Sequence, residues 1–268
     1  MGKKWFLLLG GVVFTAFAPV QADKLRKGDL AEGVRWTYHR YDNLYGHRQT
    51  VNVLDIDLAL PSLEVKPVLA NGVEKTSALG KRLGALAGVN GGYFWQNSSV
   101  SMVKIDGQML AINPGHRPPR ATLGIGPGVA EIRRVASNET WPEMLHALGG
   151  GPGILSLFQI KVTRAEEGFD EGFAARHPRT AAGLTLDRHL VLVTVDGRTS
   201  AGAGMLLPEL ARYLKELGCR DALNFDGGGS TTMYIAGQPC SGVVNYPSDN
   251  RRAEAELYRY LNPAVGGP

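Results

Sequence analysis

The sequence of 268 residues has little of what most metal, redox and nucleotide sites require. It contains two cysteines, no Cys-x-x-Cys pair and six scattered histidines, which argues against zinc, redox and multi-histidine metal sites. It has no HExxH, GxSxG or GxxxxGKS/T motif, so it lacks the signatures of zinc peptidases, serine hydrolases and P-loop nucleotidases. Because no repeat or Pro/Ser-rich linker divides the chain, we expect one domain.

Charge and hydropathy argue against nucleic acid and membrane as partners. The formal net charge is +4, and two of the lysines that contribute to it, Lys3 and Lys4, precede an apolar stretch over residues 5–18. A net positive charge this small does not favour binding to a polyanion such as nucleic acid. The stretch is short for a membrane anchor, which is the alternative reading, and Pro19 with small residues follows it. We therefore predict a signal peptide over residues 1–22 and a secreted or periplasmic domain over residues 23–268, with no stable membrane anchor after cleavage.

Hydrophobic periodicity predicts strands with interspersed helices. Strands are predicted over residues 51–60, 63–69, 222–225 and 232–235, and one covered on both faces over residues 190–195. Helices are predicted around residues 79–86, from a capping-box pattern over residues 140–148, and over residues 207–217 and 253–261. The order is not a regular βαβ alternation. We therefore predict an α+β fold, a single domain with a mixed β-sheet core, interspersed helices and glycine-rich active-site turns.

A glycine triplet behind an acid is the strongest functional signal in the chain. A short apolar run ends in Asp226, which is followed by three glycines and then by three hydroxyl residues over 230–232. Consecutive glycines suit a sharp turn or a close approach of the backbone to a ligand, and their N–H groups can form an anion-binding nest. The alternative is an ordinary tight turn.

Five further segments combine polar or charged residues with glycine or proline. They are VNGGYF (89–94), GGGPG (149–153), ARHPRTAAG (175–183), VDGR (195–198) and NYPSD (245–249). Together with NFDGGGSTTM (224–233), and in this order, they resemble the phosphodiester glycosidase family over residues 50–262. One departure follows Asp249, where related sequences usually carry an acid before an arginine and this chain has Asn250-Arg251-Arg252. The role of that acid is therefore not carried over.

The resemblance implies hydrolysis of the bond between a sugar C1 and a phosphodiester. Such a reaction needs a carboxylate as nucleophile or base, and arginine to neutralise and orient the phosphate. We assign Asp226 as the first candidate carboxylate and Asp196 as the second, although either can cap a turn or bind calcium. Arg179 is the favoured phosphate ligand and Arg176 the weaker candidate, whereas His177 between them is interpreted as a structural hydrogen-bonder.

Further substrate-binding candidates come from the same motifs. Asn90 is expected to bind a sugar hydroxyl or N-acetyl group, and Ser230 and Thr231 to donate to phosphate. Glycines at positions where backbone approaches the substrate complete the set, namely Gly91, Gly151, Gly227 and Gly228. No organic cofactor is expected to be required. Whether the site holds a metal stays open from the sequence, with calcium as the candidate because carboxylate and carbonyl oxygens are its preferred ligands.

The two cysteines lie on either side of the glycine triplet. In an oxidising compartment an even count suggests a bridge, so we predict a disulfide between Cys219 and Cys240, with two buried thiols as the alternative.

Two classes of function remain open from the sequence. The first is an exported hydrolase acting on a glycosyl-1-phosphodiester in a sugar-phosphate or polysaccharide substrate, and a calcium-dependent phosphodiesterase that cuts P–O is its variant. The second is a non-catalytic protein for envelope polysaccharide binding or exopolysaccharide assembly that keeps the fold and the pocket.

Overall fold

The computed structural model describes residues 21–70, 74–96, 98–113 and 115–248. These residues form mostly β-structure with two helices, α1 (Thr76–Arg82) and α2 (Leu207–Glu216). Seventeen strands are present in the described part: β1 (Lys24–Ala31), β2 (Val34–Leu44), β3 (His47–Asp57), β4 (Ala87–Val89), β5 (Phe94–Trp95), β6 (Ser98–Ser99), β7 (Val103–Ile105), β8 (Gln108–Ala111), β9 (Arg120–Gly126), β10 (Val129–Val135), β11 (His146–Gly149), β12 (Gly153–Ser156), β13 (Gln159–Ile160), β14 (Arg179–Thr185), β15 (His189–Val195), β16 (Cys219–Asn224) and β17 (Met233–Ile235).

The strands form two main sheets and two small ribbons. The larger sheet has the order β1-β2-β3-β15-β14-β16-β12-β13, and the smaller one has the order β10-β9-β11-β7-β8. The ribbons are β17-β4 and β5-β6. Three single turns of 3-10 helix lie at Glu171–Ala174, Gly228–Ser230 and Cys240–Gly242.

The larger sheet is the middle layer of the domain. One face packs against the smaller sheet and β17, where Leu190, Leu192 and Leu223 meet Leu123 and Met233. The other face packs against α2 through alternating residues of the same strands, such as Val191 and Val193. Strand β15 is therefore apolar on both sides, as its continuous apolar sequence predicts.

Helix α2 forms where the sequence predicts it. Its buried stripe includes Leu207, Leu210 and Leu214, Pro208 lies in the first turn, and Gly218 follows the end. Glu209 accepts a hydrogen bond from the Leu206 N–H at 3.0 Å, which satisfies one of the free donors at the helix start.

The single domain is confirmed, the predicted mixed sheet is wrong, and the α+β class is not confirmed. Every described strand pair is antiparallel. The fold is one mostly β domain with two helices.

Two local predictions are also wrong. Residues 140–148 do not form a helix, because Trp141 adopts a positive φ of 46° and packs with Met144 in a separate cluster, and β11 follows. Tertiary packing here overrides the capping-box pattern. Residues 63–69 do not form a strand, although Leu63 and Val65 pack against the core. The predicted signal peptide and the helix over residues 253–261 lie outside the described residues, apart from residues 21 and 22.

The predicted Cys219–Cys240 disulfide is not formed. Cys219 is buried on the α2 face of the larger sheet, whereas Cys240 packs against the core on the opposite face. A bridge would have to cross the sheet, so the structure keeps the two sulfurs apart.

This separation predicts that Cys219 is unreactive while the protein is folded. Its side chain is fully buried, and burial raises its pKa to about 12, so very little thiolate exists at pH 8. Alkylation followed by peptide mass spectrometry should modify Cys219 only in denaturant. Modification in native protein, or recovery of a Cys219–Cys240 cross-linked peptide from unreduced protein, would contradict this placement.

Candidate active site

The site forms at one edge of the larger sheet, where three neighbouring strands begin or end. Arg179 starts β14 opposite Val195, the last residue of β15, and Ala181 faces Asn224, the last residue of β16. The start of β14 therefore lies between the ends of β15 and β16. This geometry brings together three of the segments singled out in the sequence, residues 176–179, 195–198 and 224–230.

Asp226 stands where the chain leaves the larger sheet. The Phe225 N–H still bonds to the Thr180 carbonyl at 2.8 Å, but the Asp226 N–H turns to the Gly91 carbonyl at 3.1 Å. The Asn90 side-chain amide donates to the Asp226 carbonyl at 2.7 Å. The sequence-predicted residues Asp226, Asn90 and Gly91 are thus in direct contact, with the backbone of Asp226 held between two layers.

The carboxylate of Asp226 is half-buried and has local donors. Its Oδ1 accepts the Gly227 N–H at 2.9 Å, and the Ser230 hydroxyl also bonds to it. Burial raises the pKa of Asp226 and outweighs these two hydrogen bonds, which lower it. A carboxylate with a raised pKa, still open to one side, is suited to act as a base or nucleophile.

The glycine triplet folds tightly against Pro178. A Cβ placed on Gly227 would lie 2.7 Å from the Pro178 carbonyl oxygen, and Gly228 adopts a φ of 59°. The Gly228 N–H donates to that same carbonyl at 3.0 Å. Since the N–H groups of Gly227 and Gly228 are both used within the protein, these two do not form the anion-binding nest that the sequence suggests. They are required by the turn that presents Asp226.

Arg179 is a buried cation at the same edge, with 2% of its surface exposed. Its Nε donates to the Met205 carbonyl at 3.0 Å, and its Nη2 donates to the carbonyls of Phe173 at 2.9 Å and Ala175 at 2.7 Å. No carboxylate of the described residues lies within ion-pair distance of it. Burial, with a smaller effect of Arg198, lowers the pKa of Arg179 to about 10. The side chain is therefore charged at neutral pH and has no counterion among the described residues.

Arg198 is a second cation at this edge, and it was not among the predicted site residues. Its Nη2 donates to His177 Nδ1 at 3.1 Å, and His177 Nε2 in turn bonds to the Gly172 carbonyl at 2.9 Å. A Cβ on Gly228 would lie 3.5 Å from Arg198 Nη2. His177 is a hydrogen-bonding link, as its sequence context indicates. The VDGR motif was the available signal for Arg198.

Tyr93 is the other residue at the site that the candidate set omitted. Its hydroxyl donates to the Gly151 carbonyl at 2.8 Å and accepts from Asn224 Nδ2 at 3.1 Å. Burial, and then the charge of Asp226, raises the pKa of Tyr93, so the phenol stays protonated at neutral pH. The ring packs against Phe169 and Phe173 with centroids 5.4 and 5.8 Å away.

Two exposed aromatic side chains follow Tyr93 along the chain. Phe94 is 50% exposed and Trp95 is 69% exposed, and both lie on the short β5-β6 ribbon. We call this pair the aromatic rim. Large apolar groups in such positions are typical of binding surfaces.

Two of the predicted site residues are already bound to other groups of the protein. Arg176 forms a two-pronged ion pair with Glu209 of α2, at 2.6 and 2.7 Å. Asp196 is fully buried, and its carboxylate accepts from the Thr50 hydroxyl and the Tyr246 N–H, each at 2.7 Å, and from Asn245 Nδ2 at 3.3 Å. These contacts favour structural roles for Arg176 and Asp196.

The remaining candidates lie around Asp226. Gly151 has a φ of 103° and offers its carbonyl to Tyr93. Thr231 is buried, and its hydroxyl has no hydrogen-bond partner among the described residues. Across the described ranges, no three His, Cys, Asp or Glu side chains cluster as a metal site. Within the same ranges, no helix is both long and apolar enough to cross a bilayer.

The sequence of the chain is similar to those of known proteins. The human N-acetylglucosamine-1-phosphodiester alpha-N-acetylglucosaminidase is 26% identical over 175 residues, which is 60% of this chain and 33% of the human protein. The chain therefore spans about a third of this longer relative.

Two solved structures share the fold. The zebrafish N-acetylglucosamine-1-phosphodiester alpha-N-acetylglucosaminidase catalytic domain, auto-inhibited by its pro-peptide, has a TM-score of 0.66 at 21% identity, covering 86% of this chain and 79% of that one. A hypothetical protein from Synechocystis has a TM-score of 0.63 at 18% identity, covering 81% and 60%.

The family comparison includes every segment placed at the site. The sequence model of the phosphodiester glycosidases matches residues 83–261, which contain Asn90, Arg179 and Asp226. This match covers more than half of the sequence, and the chain belongs to the phosphodiester glycosidase family.

Proposed function

We propose that this protein is an exported hydrolase that cleaves the C1–O bond of a glycosyl-1-phosphodiester in a sugar-phosphate or polysaccharide substrate. One observation carries the proposal. Arg179 is a buried cation with no carboxylate partner in the described chain, at the sheet edge that also presents the half-buried carboxylate of Asp226. A buried charge is costly unless a counterion compensates it, and a phosphate would supply that counterion.

The arginines and the carboxylate have different roles in the proposed reaction. Arg179 and Arg198 hold the phosphodiester and stabilise the negative charge that grows on its oxygen as the C1–O bond breaks. Asp226 acts at C1, as the nucleophile or as the base that takes a proton from the attacking water. The phosphate departs with the bonding electron pair. Because it is already a good leaving group, a second carboxylate as general acid is not required.

Asn90 is a positioning residue in this scheme. Its amide holds the Asp226 backbone, and its Oδ1 accepts from the Thr180 hydroxyl at 2.6 Å and the Thr232 N–H at 3.0 Å. The aromatic rim of Phe94 and Trp95 offers apolar faces for the sugar. Export rests on the signal-peptide pattern of residues 1–22. We propose that no organic cofactor is required, and assays with and without a calcium chelator decide the metal question.

Replacement of Asp226 by Asn should remove turnover and retain binding. The amide keeps the size of the side chain but cannot act as base or nucleophile, so kcat should fall by roughly 10²–10⁴-fold. The measurement is hydrolysis of a panel of sugar-1-phosphodiesters in oxygen-18 water, with calorimetry for binding.

The position of the label tests which bond is cut. Label in the released sugar indicates C1–O cleavage, whereas label in the phosphate would support the phosphodiesterase alternative. Wild-type protein that binds the diesters and hydrolyses none would support the non-catalytic alternative.

Replacement of Arg179 by Lys should weaken binding of the diester more than that of the free sugar. Lysine retains a charge but loses the guanidinium Nη1, which is the nitrogen that the backbone carbonyls leave for the phosphate. A charge-assisted contact of this kind contributes about 2–3 kcal/mol, or roughly 30–150-fold in affinity. Calorimetry measures both affinities, and a melting curve checks the lost bonds to Met205, Phe173 and Ala175. The matched control is Arg212→Lys on the exposed face of α2. Equal losses for diester and free sugar would place the phosphate elsewhere.

Replacement of Ser230 by Ala should move the acid limb of the kcat/KM profile to higher pH. The Ser230 hydrogen bond lowers the pKa of Asp226, so its loss raises that pKa further. The ionised carboxylate is the active form, and its population falls as pH drops through the pKa. Activity in the variant should therefore begin to fall at a higher pH than in wild type. Ser156→Ala, on the exposed side of β12, is the control. An unchanged limb would show that Asp226 does not set it.

A further inference from the structure

A third arginine near the site has buried donors that no protein group uses. Arg120 opens β9 and is only 1% exposed. Its Nε and Nη2 are both buried and have no hydrogen-bond partner in the described chain. Buried donors in native proteins are nearly always paired, so two orphaned donors on one guanidinium call for a ligand or a specific cause.

The packing of Arg120 against aromatic rings does not satisfy its unpaired N–H donors. The Arg120 guanidinium lies 4.3 Å from the Phe169 ring centroid and 5.9 Å from that of Tyr93. These contacts cover the face of the guanidinium, whereas its N–H groups point out in its plane. Burial, followed by the charge of Arg117, lowers the pKa of Arg120.

The carboxylate of Glu167 is close enough to influence Arg120 but does not pair with it. Glu167 accepts the N–H groups of Ala121 and Gly153, each at 2.8 Å, and the Thr163 hydroxyl. It is therefore used to hold the backbone around β9 and β12. No ion pair to Arg120 is formed within the described ranges.

The two unused nitrogens define the direction of binding. Nε and Nη2 flank the same edge of a guanidinium, and this edge matches the two oxygens of a carboxylate or phosphate. Arg120 is also close to the reaction centre. It contacts Tyr93, whose hydroxyl bonds to the Gly151 carbonyl, and the Gly150 N–H bonds to the carbonyl of the next residue, Ala121, at 2.9 Å.

Two buried arginines at the site lack an acidic partner. Arg120 and Arg179 form no ion pair within the described chain. Both lie close enough to Tyr93 to lower its pKa, and Asp226 lies close enough to raise it. A phosphodiester carries one negative charge. We infer that Arg120 binds a second oxyanion of the substrate, so that the preferred substrate is an anionic glycan with a carboxylate or a further phosphate near the scissile diester. This inference rests on the proposed function.

The second oxyanion would enter beneath Phe169. The unused edge of Arg120 is enclosed in this structure, and residues 170–175, which follow Phe169, are exposed except for Phe173. Entry of the oxyanion therefore requires Phe169, which covers the guanidinium, to move.

The test compares three diesters with the same sugar and leaving group. One is otherwise neutral, one carries a carboxylate and one carries a phosphate monoester. Wild-type kcat/KM should be at least about tenfold higher for one of the two anionic substrates than for the neutral one, and the better of the two identifies the oxyanion. Arg120→Met should bring the ratio close to one, and Arg120→Lys should give an intermediate ratio. Arg212→Met should keep the wild-type ratio.

Two further readouts separate the possible failures. Removal of a buried charge with unused donors should leave the melting temperature of Arg120→Met equal to or above that of wild type; a marked fall would indicate a structural role and overturn the inference. If Arg120→Met does not fold, the kcat/KM ratio of Arg120→Lys decides.

Affinities measured in the Asp226→Asn background test the preference for an anionic substrate without turnover. A wild-type enzyme that cleaves all three diesters equally refutes the role of Arg120 alone, whereas one that cleaves none refutes the proposed function.

Discussion

The side-chain amide of Asn90 is the contact on which the geometry of the site depends. Its nitrogen holds the Asp226 carbonyl, and its oxygen accepts from Thr180 in β14 and from the Thr232 N–H after the glycine turn. Three segments far apart in sequence are thereby fixed by one planar group. Because Asp226 has already left the sheet, no strand hydrogen bond defines its position, and the amide takes over that function.

The acids near the site differ by how many donors they receive. Asp196 and Glu167 are fully buried, and each accepts at least three hydrogen bonds from the surrounding chain. Such carboxylates stabilise the fold, and their oxygens are not free for a substrate. Asp226 keeps part of its surface open and has a raised pKa. The number of hydrogen bonds that each carboxylate accepts therefore distinguishes the proposed reactive acid, Asp226, from the structural acids Asp196 and Glu167.

Sequence reasoning succeeded where local chemistry determines the outcome. The continuous apolar run of β15 and the stripe of α2 followed from residue types. The family motifs contain Asp226, Asn90 and Gly91, but only the fold shows that these residues are in contact. Sequence reasoning failed where distant packing decides. Trp141 and Met144 pack into a core cluster, and no helix forms there. Arg176 forms an ion pair with Glu209. Cys219 and Cys240 lie on opposite faces of the larger sheet. Arg120 carries no local signal, since only the folded chain shows that its donors are unused.

The aromatic rim has an optical consequence. Among the tryptophans that the structure describes, Trp36 and Trp141 are buried at 6% and 2% exposure, whereas Trp95 is 69% exposed. Indole emission shifts to the red in water and to the blue in an apolar core. Among the three described tryptophans, the solvent-exposed part of the emission therefore comes from a single residue two positions after Tyr93. A soluble quencher such as iodide would reach that indole and spare the other two. The described part of the chain thus carries its own spectroscopic reporter next to Tyr93, without any added label.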